Sequence, residues 1–389
     1  MAAIFAARPG VETLLLERTR DGGRKILISG GGRCNVLPAR VDERRFVTGS
    51  SAATLRNILR SWPLAEQIAF FEQELGIALV EEPESAKLFP VSNRARDVRD
   101  GLLVLAARRG AEFLPETNVT GFTPAKGRWS IERAGAPALL VDRVILATGG
   151  LSVPKTGSDG TGLAILRDLG HTVHPTYAAL TPLTAEPAPF GVLAGVSLRV
   201  RITARSPDES ATATGGFLFT HHGYSGPSVL DVSHVAVRSR VASVTVQWSD
   251  LGRKEWGEAL RAVGARTIGS TVRARLPDRL ALMLLGALGL DPATPLAQLR
   301  RQDRDRLIDT LVEGALPWTG DEGYKKAEVT GGGIALSEVD PRTLESRRHP
   351  GLFICGEVLD AFGPIGGYNF LWAWATGRAA GLGAVSGKR

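Results

Sequence analysis

The spacing of apolar positions along the 389-residue chain changes period twice, and each change marks a different piece of architecture. Met1 to Ala7 reads as the tail of a helix, closed by Pro9 and Gly10, and Val11 to Glu17 reads as a strand that ends in an acid. Ile68, Phe71 and Leu75 share one face of a helix over 64–75. Val98, Leu102 and Leu105 do the same over 97–109, with Gly110 as the cap. Val141 to Leu146 is a short apolar strand that runs into Ala147-Thr148-Gly149-Gly150, and a further helix covers 162–169. After about residue 190 the period falls to two: Leu198, Val200, Ile202 and Ala204 alternate with Arg199, Arg201, Thr203 and Arg205, and Val244, Val246 and Trp248 alternate with Thr245 and Gln247. Strands of this kind are antiparallel with one wet face. From Trp256 to Leu316 the period is helical again, with Leu280, Leu284 and Leu288 on one face and Leu307, Ile308 and Leu311 on the next. The order predicts an α/β nucleotide-binding domain over 1–188 and 336–389. An antiparallel β-barrel-like domain over 189–335, with a helical part at about 254–318, interrupts it.

Composition narrows the class. A chain of this length holds two or three domains, and 43% hydrophobic with 22% charged residues is ordinary for a globular protein. The net charge of +7 and pI near 9.7 raise a nucleic-acid partner, but the 47 basic residues are scattered and form no basic arm. The expectation is therefore a small-molecule substrate and no nucleic acid or membrane. Cys34 and Cys355 stand far apart in no metal-like spacing, which fits a reducing cytoplasm and supports neither a disulfide framework nor a metal site. The longest apolar run, Leu280 to Leu290, falls short of the ~20 residues that span a bilayer.

Candidate chemistry centres on Ile28-Ser29-Gly30-Gly31-Gly32-Arg33-Cys34-Asn35. Three consecutive glycines expose main-chain N–H groups to a flat or anionic ligand. Glu17, closing the strand ahead of them, is placed as the acid that accepts ribose hydroxyls in a nucleotide-binding βαβ unit. Glycine clusters also mark plain turns, and these residues by themselves support both readings.

Lys25-Ile26-Leu27-Ile28-Ser29-Gly30-Gly31-Gly32-Arg33-Cys34-Asn35 resembles the signature of a bacterial family of FAD-dependent oxidoreductases, the aminoacetone-oxidase-like and bile-acid-dehydro-reductase-like flavoproteins. Further segments resemble the same family in the same order. They are Val119, the Ala147-Thr148-Gly149-Gly150 turn, Ser152 to Gly160, Leu218 to Pro227, Thr330 to Gly333, Gly356-Glu357, and Gly366-Gly367-Tyr368-Asn369. The resemblance implies a glutathione-reductase-like FAD-binding Rossmann domain split by the insertion. It implies FAD contacts from Glu17, Lys25, Ser29, Gly30, Gly31, Arg33, Cys34, Asn35, Val119, Ala147, Thr148, Gly149, Gly150, Gly356, Glu357, Gly366, Gly367, Tyr368 and Asn369. Trp372 and Trp374 depart from the family's closing helix.

The implied activity takes a hydride from NADH or NADPH and reduces an unsaturated or carbonyl small molecule. The alternatives are an oxidase of a small amine using dioxygen, an FAD-dependent RNA-modifying protein and a non-catalytic relative. His221 and Tyr368 are the candidate proton donors. Valine at Gly31 or Gly367 is expected to leave folded but colourless protein. The first strand and its Gly-x-Gly-x-x-Gly turn have no counterpart in the sequence, because Met1-Ala2-Ala3-Ile4 resembles the middle of the helix that follows them; the expectation places both upstream of Met1.

Overall fold

A computed structural model describes residues 1–261 and 265–386. Residues 262–264 of the helical stretch and 387–389 of the closing segment lie outside the described residues. The chain forms two compact units, Met1–Ala178 with Glu328–Arg389, and Ala179–Ala327. These limits differ from the sequence boundaries at 188 and 335. Leu183–Thr184 pairs with Gly223–Ser225 inside the insertion, and Val329–Ile334 is a buried strand of the first unit.

In the first unit Thr13–Leu16 pairs in parallel with Ala111–Leu114, and Leu352–Ile354 pairs in parallel with Val144–Leu146. Among the described residues these are two separate two-stranded sheets. Parallel pairs need crossover connections, and the helix Ala95–Arg108 supplies the one that leads into Ala111. Val141 is not part of the strand that precedes Ala147. It ends the third strand of an antiparallel sheet, Val119–Ala125, Arg128–Arg133 and Ala136–Val141. The first of its hairpins turns at Lys126-Gly127, both with positive φ, the geometry that matches strand twist.

The closing helix Tyr368–Val385 is apolar nearly all round and is buried along its length. Its glycines allow the close approach: a Cβ at Gly381 would lie 2.4 Å from the Ala2 carbonyl oxygen, so the short helix Ala2–Ala6 packs directly on it. The two tryptophans that depart from the family pattern are anchors here. Trp372 donates its indole N–H to the Gly356 carbonyl at 3.1 Å, and Trp374 donates to the Val36 carbonyl at 3.1 Å.

The second unit carries a seven-stranded antiparallel sheet. Ser197–Arg205 and Ser210–Thr220 form its long central pair, in register from Ser197 opposite Leu218 to Arg205 opposite Ser210. The barrel expectation is corrected here. The two edge strands, Gly314–Ala315 and Gly320–Asp321, are two residues long and joined through 316–319, and among the described residues they do not pair with each other. Pro317, with no N–H to give, sits in the joining segment. The helix Pro227–Arg238 packs on one face of the sheet over Val200, Ile202, Phe217 and Phe219. Leu280 and Leu284 on Asp278–Ala287, and Leu307, Ile308 and Leu311 on Arg301–Glu313, are buried as their spacing predicts. No helix among the described residues is long and apolar enough to cross a membrane.

Candidate functional site

Four segments of the first unit, distant in sequence, meet in one polar knot. The short helix Arg24–Ile28 presents Lys25, whose Nζ lies 2.5 Å from both Ser152 Oγ and Glu357 Oε2. Glu357 Oε1 in turn accepts from Ser152 Oγ at 2.6 Å and from the Thr330 N–H at 3.0 Å. Thr330 Oγ1 accepts the N–H groups of Leu151, at 2.7 Å, and Ser152, at 3.1 Å. Gly150 has to be a glycine for the knot to close, because a Cβ there would sit 2.4 Å from Thr330 Oγ1. Charge-assisted bonds in a half-buried setting hold these groups more firmly than a surface pair does.

Beside Lys25 the chain turns through Ser29–Gly32. Ser29 Oγ donates to the Ile26 carbonyl at 2.7 Å and closes the helix. Gly30 (φ 55°), Gly31 (φ 68°) and Cys34 (φ 62°) are all left-handed, a conformation glycine adopts without penalty. Gly30 is packed by the protein itself, since a Cβ would meet the Phe89 ring at 2.9 Å. At Gly31 there is nothing within 4 Å. Arg33 is turned to Glu82 at 3.0 Å and stacks over Phe89 at 4.1 Å. Cys34 is buried completely, and burial pushes its thiol up to about 12. That corrects its expected place among the cofactor contacts: its side chain is core, and only its backbone belongs to the turn. Asn35 keeps a buried Oδ1 with no hydrogen-bond partner.

Glu17 follows Thr13–Leu16, and its Oε1 accepts both the N–H and the hydroxyl of Thr19 at 2.7 Å, which fixes the carboxylate and leaves Oε2 without a bond among the described residues. Val119 opens its strand half-buried, opposite Arg133 and next to a bulge. Ala147 and Thr148 are exposed, while a Cβ at Gly149 (φ 72°) would lie 3.0 Å from Ser158 Oγ. Gly356 (φ 83°) also has open space at its Cβ position, with its N–H given to Thr376 Oγ1 at 3.0 Å.

The closing motif divides. Gly366 is open except for Lys87, 3.7 Å away. Gly367 serves the fold: a Cβ would lie 2.4 Å from the carbonyl carbon of Leu37, so the protein's own backbone requires glycine there. Tyr368 is buried, donates its hydroxyl to the Arg40 carbonyl at 3.2 Å and accepts the Asp42 N–H at 3.4 Å. Its hydroxyl is engaged at both ends by the protein's own backbone. Asn369 clamps Gly363, accepting its N–H at 2.9 Å and donating to its carbonyl at 3.0 Å. His221 belongs to the inserted unit, exposed at the turn between Ser210–Thr220 and Gly223–Ser225.

The sequence reading missed a second cluster in the first unit. Asp360, 2% exposed, accepts from Ser50 Oγ at 2.8 Å and lies within 3.0 Å of Thr48 Oγ1. His174 Nε2 stands 3.3 Å from Ser50 Oγ and 3.7 Å from the same carboxylate. Ser50 and Asp360 both approach one ring nitrogen, so the trio is not a nucleophilic triad, which needs them on opposite nitrogens. Only Asp360 had a sequence signal, three residues beyond Gly356-Glu357.

The chain is 32% identical over 398 residues to a 3-dehydro-bile acid delta(4,6)-reductase of Clostridium scindens, covering 99% of this chain and 96% of the relative. It is 31% identical over 390 residues to the ribosomal RNA dihydrouridine synthase of Escherichia coli, covering 99% and 94%. It is 28% identical over 388 residues to the protein of that name in Haemophilus influenzae, covering 97% and 93%. With residues 1–383 matched by the model of the HI0933-like protein Rossmann domain, this chain belongs to the HI0933-like family of FAD-dependent Rossmann oxidoreductases.

Proposed function

We propose that the protein is an FAD-dependent reductase that saturates a ring carbon–carbon double bond conjugated to a carbonyl, with NADH or NADPH as electron donor and a uracil base in RNA as the substrate class. The observation that carries the reading is the knot of Lys25, Ser152, Thr330 and Glu357, which gathers the family's scattered motifs beside open, left-handed glycines. The residues fit the cofactor. Asn35 offers an unpartnered buried acceptor, Gly31 and Gly356 offer open backbone, and Glu17 has a free carboxylate oxygen for ribose hydroxyls. Lys25, Ser29, Gly149 and Glu357 are further candidates to hold it, Lys25 and Glu357 being fixed by their mutual ion pair. When bound, FAD supplies hydride transfer, and the protein supplies position and electrostatics.

The relatives' names describe two substrates, ribosomal RNA and a 3-dehydro bile acid, but one kind of reaction, the addition of hydrogen across a ring double bond. Two of the three named relatives support RNA. Such a reduction also needs a proton at the carbon that does not receive hydride. With Tyr368 engaged, His174 is the group we assign to deliver it, held by Ser50 and by the buried Asp360 carboxylate, and about one-third exposed.

The test is spectroscopic. Purified protein should show oxidised flavin absorbance, NADH or NADPH should bleach it anaerobically, and an unmodified ribosomal RNA fragment should restore it, with dihydrouridine found by mass spectrometry. Restoration by a steroid dienone and not by RNA would move the substrate to small molecules. Restoration by neither would sink the reductase reading.

A further inference from the structure

The inserted unit presents a sheet face that carries no acid. Along Ser197–Arg205 the buried positions are Val200, Ile202 and Ala204, and the alternate side holds Arg199, Arg201, Thr203 and Arg205. The register continues this side onto both neighbours: Arg201 lies opposite Thr214 on one strand and Gln247 on the other, and Thr203 lies opposite Thr212 and Thr245. Across the three strands every residue on this side is arginine, serine, threonine, glutamine, glycine or leucine. Wet sheet faces ordinarily mix both signs of charge, since opposite-charge pairs across strands are favourable and like charges are not. Here Arg199 and Arg201 pair with no acid among the described residues. Glu313 on Arg301–Glu313 stands at the rim, in an ion pair of 3.9 Å with Arg205. A hollow of about 270 Å³ opens on the face, lined by Arg201, Thr203, Arg205, Thr212, Thr245, Gln247, Val312 and Glu313.

We propose that this face is an RNA backbone contact, with Arg199, Arg201 and Arg205 on phosphates and the threonine hydroxyls beside them on phosphate or 2′-hydroxyl oxygens. The proposal rests on the reading of RNA as the substrate class. Alternate residues on a strand are on the order of 6.6 Å apart, so neighbouring guanidiniums can reach successive phosphates of one strand. No aromatic side chain lies on the face, so bases have nothing to stack on; contact here positions RNA without reading sequence.

The test uses the full flavin-loaded chain and a fluorescently labelled, uridine-rich single-stranded RNA, with affinity measured by anisotropy across a range of potassium chloride concentrations. The parent should show log affinity falling linearly with log salt. Replacing the three arginines together, Arg199→Gln, Arg201→Gln and Arg205→Gln, should weaken binding at least tenfold at low salt and flatten the slope by about 2, the loss expected for three phosphate contacts to a single strand. The matching triple lysine variant should keep most of the slope. Flavin content, melting temperature and the rate of bleaching by NADH or NADPH should stay at the parent's values in both. A glutamine variant that binds RNA with the parent's affinity and slope overturns the face while leaving the RNA substrate in place. A parent that binds no RNA overturns both, and leaves the reductase reading to be decided by the steroid arm. Binding to phosphatidylglycerol vesicles without binding to RNA would also overturn the assignment.

Discussion

Gly31 and Gly367 are both left-handed glycines of family motifs, yet a side chain would meet open space at one and the Leu37 backbone at the other. Gly367→Val is therefore expected to give insoluble protein. Gly31→Ala should fold, at a cost of roughly 1–2 kcal/mol for its positive φ, and should retain flavin less tightly than the parent. Soluble yield and flavin absorbance after dialysis distinguish the two, and soluble yellow Gly367→Val would refute the packing argument. At Glu17, removal of the carboxylate by Glu17→Ala should weaken FAD by about 1–3 kcal/mol; unchanged retention would take the acid out of the site. His174→Gln should leave flavin binding and bleaching intact while slowing substrate reduction and flattening its pH dependence. Unaltered turnover and pH profile would remove His174 from proton delivery.

At the scale of elements, buried histidines set how the fold responds to acid. Burial first, and Arg238 second, bring the His234 imidazole on Pro227–Arg238 down to about 4, and burial first lowers His171 as well. His234 is therefore neutral in the fold down to about 4 and His171 takes a proton less readily than a free imidazole, while the unfolded chain takes up protons from the ordinary value of 6.5 downward. A depressed folded-state value means the contribution is full above 6.5 and is lost as pH falls toward the folded value. The melting temperature should be level above pH 7 and fall between about 6.5 and 4, with a shallower fall in His234→Gln. Glu338 extends the loss. Its bond from Arg348 holds the carboxyl down to about 2, so its share is present above 4.5 and disappears as pH drops from 4.5 toward 2. Melting curves that do not shift between pH 7 and 4 would contradict the placement of both histidines.

For the whole molecule, the knot ties residue 25 to 152, 330 and 357, so a ligand that holds those segments together stabilises the fold as a unit. At a hundredfold excess over its dissociation constant, FAD should add about 2.7 kcal/mol. Stripped protein should melt correspondingly lower and recover on adding FAD. Lys25→Met leaves Glu357 Oε2 without its partner and should shrink that difference. Equal melting temperatures with and without FAD would mean that the fold does not bind it, and an undiminished difference in Lys25→Met would place the cofactor away from the knot.

Periodicity and motif order in the sequence determined the interrupted α/β plan, the buried faces at Leu280 and Leu307, and the family, because each depends on residues near one another along the chain. The reach of each motif residue depended on packing across long separations. Gly367 meets Leu37, Tyr368 meets Arg40, and Cys34 enters the core, so resemblance alone assigned all three to a ligand. His174, Ser50 and Asp360 come together only through the fold, since no local spacing links positions 50, 174 and 360. The same holds for charge. Arginines 199, 201 and 205 alternate along one strand in the sequence, and strand register alone shows that their cross-strand partners carry no acid, because cross-strand pairing is a tertiary fact that alternation along one strand does not contain.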